Sequence, residues 1–221
     1  MQMIPQWQLD KVLAALYEPL PPKPPKLVIE AKAARDVGGI KRVYHFDESL
    51  EALKARGYER HLRPIEAFSL LEKNLEGKLS EEEQEIAEDM LDFAGEWVSL
   101  AWEKRGDVLV AYLDPVGLVW DRGKYVKRDF SCSEERQFDI TGKDSQSFLY
   151  LKKFPEDFVT WHYGRKFTEL PEEMREGSNI ASVRLPADGI IWPVSLGYIT
   201  GGKYDVTAFF SHGVSRGVKH L

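Results

Sequence analysis

Residues 80–114, "SEEEQEIAEDMLDFAGEWVSLAWEKRGDVLVAYLD", decide how this chain folds, because their apolar spacing sets where helix gives way to sheet. Ser80 and Glu83 have the spacing of a capping box, which satisfies two orphan amides at a helix start. Ile86, Met90, Ala94, Trp97 and Ala101 follow at helical spacing, with Leu91, Val98 and Trp102 beside them. This pattern predicts a helix from Ser80 to about Lys104, and so broad a stripe implies burial on two sides. After Gly106 the period changes. "DVLVAYLD" is apolar at nearly every position, as in a central strand covered on both faces. Asp114-Pro115 ends it.

Towards the C-terminus the punctuation is that of antiparallel sheet. "GLVW-DRG-KYVKRDF" reads as a hairpin with a three-residue loop. "RQFDIT" and "NIASVRLP" read as strands, and "SQSFLYLKKF" fits helix or strand. "GIIWPVSLGYIT-GG-KYDVTAFF" reads as a hairpin turning at Gly201-Gly202. Ile190, Trp192, Val194, Leu196 and Tyr198 are expected on one face, opposite Tyr204, Val206, Ala208 and Phe210. Pro193 marks an edge strand or a bulge.

Towards the N-terminus, "RPIEAFSLLEKNLEG" opens with Pro64 and stops at Gly77, with Ile65, Phe68, Leu71 and Leu75 as its buried stripe. A shorter helix capped by Asp47 or Ser49 ends near Gly57. "IKRVYHF" (40–46) reads as a strand after Gly38-Gly39. At the start, Leu9, Val12, Leu13 and Leu16 share one helical face, with Trp7 nearby. Five prolines between positions 19 and 25 then form a stiff polyproline spacer that spans about 20 Å. The expected class is α+β, with a helix-rich N-terminal half packed on a mainly antiparallel C-terminal sheet. Residues 1–26 form the arm and 27–221 a single body, with a sub-boundary near 105.

Composition narrows the function. Apolar residues make up 43% of the 221, enough for a sizeable core. The net charge of −6 argues against a protein that holds nucleic acid mainly through its phosphates. Cys132 is the single cysteine, so no internal disulfide forms, which suits a cytoplasmic location. The first residues lack the basic and apolar regions of a signal peptide, and no stretch approaches 18 uninterrupted apolar residues. Charged residues reach 30% while Asn occurs twice, a thermophile-like balance.

Several motifs invite chemistry. "GVSRG" (213–217) has the spacing of a nucleophile elbow, but the four residues after it leave no room for the helix and the acid and histidine that must follow. Its glycines are expected to serve turns in a mobile tail. His45, His61, His162, His212 and His220 show no zinc-site spacing, and the aromatic neighbours of His162 in "TWHYG" would bury it. No phosphate-binding glycine loop occurs. The eight acids Glu81, Glu82, Glu83, Glu85, Glu88, Asp89, Asp92 and Glu96 read as a solvated helix face, or as a docking surface for a basic partner.

"KLVIEAK" (26–32) delivers Glu30 and Lys32 from an apolar strand, as a metal-dependent nuclease would. Glu30 would hold Mg²⁺ and Lys32 would orient water or stabilise the transition state. Against this, Glu76 and Lys78 repeat the spacing at a helix end, and no partner acid lies on a preceding strand. The leading expectation is a non-enzymatic interaction or assembly protein without cofactor. Its tethered helix (Trp7, Leu9, Val12, Leu13, Leu16) docks on another copy or a protein partner, because so short a helix is marginal alone in water. The alternative is the Mg²⁺-dependent nuclease of Glu30 and Lys32.

Overall fold

The computed structural model describes residues 26–34, 42, 44–91, 95–143, 148–150, 154–172, 175, 182–199, 203–207 and 213–221. The expected helical arm, including Trp7, Leu9, Val12, Leu13 and Leu16, lies outside them, as does the Gly201-Gly202 turn.

Residues 80–105 divide where a single helix was expected. Helix α3 is Glu81–Leu91, and strand β3 is Glu96–Arg105. The capping box holds: the Glu83 amide donates to Ser80 Oγ at 3.3 Å, and the Ser80 amide donates to Glu83 Oε2 at 3.0 Å. β3 pairs antiparallel with β4 (Val108–Leu113), so the period changes before Gly106, not after it. Val98, Leu100 and Trp102 enter one core cluster, while Trp97 and Ala101 enter another. β4 alternates likewise, Leu109 and Ala111 against Val110 and Tyr112. A strand buried on both faces is apolar at nearly every position and therefore also satisfies a wide helical stripe.

The other elements are β1 (Leu27–Ile29), α1 (Phe46–Ala55), β2 (Arg60–His61), α2 (Pro64–Leu75), β5 (Val116–Asp121), β6 (Lys124–Ser131), β7 (Glu134–Asp139), β8 (Phe148–Tyr150), α4 (Glu156–Tyr163), β9 (Ser182–Arg184), β10 (Ile191–Ile199), β11 (Lys203–Thr207) and β12 (Gly217–His220). A seven-stranded sheet has the order β7-β4-β3-β10-β11-β9-β8, antiparallel except where β9 meets β11. β1-β12-β2 form a small sheet, and β5-β6 a hairpin.

The α+β class stands, but the helix-rich N-terminal half does not. β1 to β3 already lie in the first half, α4 lies in the second, and strands dominate the C-terminal part. The sequence reading missed α4, although Pro155 precedes it and Gly164 ends it in a left-handed conformation at φ 76°. The segment 40–46 is not a described strand: Tyr44 makes one isolated bridge to Gly213 and Phe46 begins α1. That helix is capped at His45, whose amide donates to Glu48 Oε2, rather than at Asp47 or Ser49.

The β5–β6 turn has two residues, not three. Arg122 and Gly123 both take positive φ (49° and 86°), the twist that suits a two-residue hairpin. Gly117 marks a register shift in β5, where a Cβ would lie 2.2 Å from the Arg128 carbonyl oxygen. Pro193 sits at a register irregularity in β10, which is central between β3 and β11. Trp192 packs on Trp120 and Tyr125 while Val194 joins the other cluster, so the two do not share one face.

The larger cluster lies between the seven-stranded sheet and helices α2, α3 and α4. The smaller lies on the opposite sheet face, under α1 and the β5–β6 hairpin. Ile65 and Leu75 were expected in the stripe of α2 but are 45% and 42% exposed. Phe68 and Leu71 of that stripe are buried, and Ala67 and Leu70 join them.

Candidate functional site

Glu30 follows β1, a three-residue strand too short to carry much on its own. Arg56, just past α1, donates from Nε to Glu30 Oε1 at 3.0 Å and from Nη2 to Oε2 at 3.1 Å. The Gly217 amide adds a third bond to Oε2 at 2.8 Å. The carboxylate is thus gripped by a bidentate guanidinium and a backbone amide, a strong and directional arrangement. Lys32 points elsewhere, to Glu85 on α3 at 3.4 Å, with both side chains more than half exposed. The structure therefore gives Glu30 and Lys32 separate partners. Among the described residues no three His, Cys, Asp or Glu side chains are grouped to hold a metal ion.

The "GVSRG" segment is not a loose tail. Gly213 to Val218 are buried, and the Tyr44 and Gly213 backbones exchange two hydrogen bonds. Ser215 is fully buried, and its hydroxyl donates to the Ser49 carbonyl oxygen. Arg216 is fully buried and donates to Glu96 Oε1 (2.8 Å), Asp89 Oδ2 (2.6 Å), and the carbonyl oxygens of Glu30 (2.7 Å) and Ala31 (2.6 Å). Burial alone would lower its pKa; Glu96 and Asp89 outweigh that and hold it above the usual arginine value. Two of the eight acids assigned to a solvated face are therefore interior partners of a buried cation. No sequence signal distinguishes Asp89 and Glu96 from the other six.

A third charged group lies on the sheet face towards β6. Glu103 accepts from Tyr112 Oη (2.6 Å), Arg105 Nη2 and Lys127 Nζ (both 2.8 Å). Burial pushes its carboxyl up, but these donors outweigh it and hold the pKa at about 2. Glu103 stays ionised near neutrality and has no proton to donate.

The histidines split into structural roles and one open question. His61 Nε2 pairs with Ser49 Oγ at 2.7 Å, both residues fully buried. His220 pairs with Glu59, and His45 stacks on Trp120. His212 lies outside the described residues. His162 is 1% exposed and stacks on Phe158, with Trp102 and Phe68 around it. Neither of its ring nitrogens has a hydrogen-bond partner among the described residues. Burial depresses its pKa to about 3, so the imidazole is neutral, with one donor and one acceptor.

His162 lines a cleft between α2 and α4. This cleft, about 170 Å³, is bounded by Pro64, Ile65, Leu113 and Trp161, with Arg63 and Glu134 also in its wall. A second cleft of about 160 Å³ shares Ile65 and is lined by Phe68, Tyr163, Leu170 and Pro171, with the Glu72–Arg165 ion pair in its wall. Ile65 forms the ridge between them. Gly164 allows α4 to come this close: a Cβ there would lie 2.6 Å from Ile65 Cδ1. Helical spacing singled out Ile65 as apolar; it carries no information on whether the body or something else covers that side chain.

No family model matches the sequence, and no curated protein or solved structure matches it either.

Proposed function

We propose that this chain is a non-enzymatic interaction or assembly protein, docking on a second copy or a protein partner through the apolar helical face Trp7, Leu9, Val12, Leu13 and Leu16. The observation that carries the reading is the exposed Ile65 ridge flanked by two clefts in which apolar side chains alternate with charged ones. An apolar helix on a stiff tether needs such a surface, because it is marginal alone in water. A cytoplasmic location accords with the single cysteine, which forms no internal disulfide. No helix among the described residues is long and apolar enough to cross a membrane.

The metal-dependent nuclease built on Glu30 and Lys32 is the weaker reading. A Mg²⁺ ion at Glu30 would have to compete with Arg56 and the Gly217 amide for the carboxylate oxygens. The test is light scattering on the full chain beside the double variant Leu9→Lys/Leu13→Lys. The expected result is a mass above the 25.4 kDa of one chain that the variant loses. Equal masses for the two proteins, together with the absence of any captured partner, would remove the reading.

A further inference from the structure

We infer that the two clefts flanking Ile65 receive the N-terminal helix of a second copy of this chain, with the Trp7 indole seated in the cleft lined by His162. The inference rests on the assembly reading above and adds the receiving surface and its occupant.

The first argument is chemical. The cleft is apolar on most sides, yet a neutral imidazole lines it with both nitrogens unpartnered among the described residues. A buried polar group without a partner costs free energy, and both nitrogens are closed to solvent, so an occupant satisfies one of them once the imidazole turns towards the cleft. Among the apolar residues of the expected docking face, Trp7 alone carries a polar side-chain hydrogen. Its indole is large and apolar with a single N–H donor, which matches one acceptor nitrogen in an apolar wall. Leu9, Val12, Leu13 and Leu16 would then pack along the Ile65 ridge towards Phe68 and Leu170.

The second argument concerns reach. β1 and β2 both run antiparallel to β12 and therefore parallel to each other. Val218 lies opposite both Ile29 and Arg60, and Leu27 lies opposite His220. The arm therefore leaves the body two residues before the level of Arg60, while α2 begins four residues after it. At about 3.3 Å per residue, these six residues separate the exit of the arm from the start of α2 by at most about 20 Å along the strand axis. The five prolines between positions 19 and 25 favour an extended spacer of about 20 Å. Such a spacer, if it continued the line of β1 backwards, would lead away from α2 and so towards a neighbour's groove rather than its own. Two copies exchanging arms close a twofold dimer in which each groove is filled once.

The experiment uses full-length chains carrying Trp7→Ala or Ile65→Lys, weighed alone and mixed. Ile65 is half exposed, so lysine there is compatible with folding. Near-UV circular dichroism checks this, and Ile65→Ser serves if it fails. The expected result is that each variant dissociates at least tenfold more readily than the wild type. An equimolar mixture should recover part of the dimer, because one intact helix then meets one intact groove. If Ile65→Lys keeps the wild-type mass while Leu9→Lys/Leu13→Lys loses it, the groove is the wrong surface and the assembly reading stands. Failure of the mixture to recover any dimer overturns the exchange. A wild type of single-chain mass at every concentration removes both.

Discussion

Replacing Arg216 should be among the most damaging single changes available in this chain. Arg216→Met retains an unbranched apolar stem of similar reach and deletes the guanidinium. Four hydrogen bonds disappear with it, two to the carboxylates of Asp89 and Glu96 and two to the carbonyl oxygens of Glu30 and Ala31. Removing one partner of a buried ion pair costs about 3–5 kcal/mol, because a charge stays behind in the interior. Each carbonyl left without its donor adds about 1–3 kcal/mol. The sum is at least about 5 kcal/mol, comparable to the whole stability of a typical domain. The assay is urea unfolding followed by tryptophan fluorescence, for which the fully buried Trp97 and Trp102 are suitable reporters. Arg216→Met should be largely unfolded at pH 7. Combining it with Asp89→Asn and Glu96→Gln should recover at least half of the loss. Arg216→Lys, which keeps the charge but not the planar fork, should fall between. A loss below about 1 kcal/mol for Arg216→Met, or a triple variant no better than the single, would refute the buried-clamp reasoning.

Glu30→Gln should cost about 1–2 kcal/mol, since it weakens the bidentate Arg56 contact while keeping an acceptor for Gly217. Neither it nor the wild type should cleave DNA or RNA with Mg²⁺ or Mn²⁺, and wild-type cleavage lost in a folded Glu30→Gln would restore the nuclease. His61 and His162 are held at about 3, below the ordinary 6.5, so the unfolded chain binds more protons than the folded one as pH falls below 6.5. Their stabilisation is complete above pH 6.5 and is lost towards pH 3, at about 1.4 kcal/mol per pH unit for each. His162→Phe should therefore roughly halve the slope of stability against pH between 6.5 and 5, and a flat wild-type profile there would contradict their burial. Gly117→Ala must fit a Cβ 2.2 Å from the Arg128 carbonyl oxygen at φ 78°. It should lower the thermal midpoint clearly, whereas Gly123→Ala meets open space and should cost only the strain of its positive φ.

The sequence carried its local features well. The capping box at Ser80, Pro64 at the start of α2, the both-face-buried run 107–114 and the register break near Pro193 are set by neighbours within a few residues. Residues 97–102 were misread because apolar character at nearly every position satisfies a wide helical stripe as readily as a doubly covered strand. The β-branched Val98 and the two tryptophans, just after Gly95, were the only local hints of sheet. The C-terminal segment was misjudged for a different reason. β12 is held by β1 and β2, some 190 and 160 residues away in sequence, and Arg216 just before it is neutralised by acids from α3 and β3. Such closure leaves no mark on local spacing. The candidate groove was half legible: the helical face containing Ile65 could be read, but its exposure depends on α4, a helix the reading did not find.

The most direct test of the proposed assembly, through a helix expected over residues 7–17, is amide hydrogen exchange of the full chain over a range of protein concentrations. The expected result is protection of residues 7–17, and of 64–72 and 158–170 around the clefts, that rises together with concentration and vanishes on dilution. Protection of residues 7–17 that does not depend on concentration would place the helix on its own body, and no protection at any concentration would leave it undocked; either result contradicts assembly between copies.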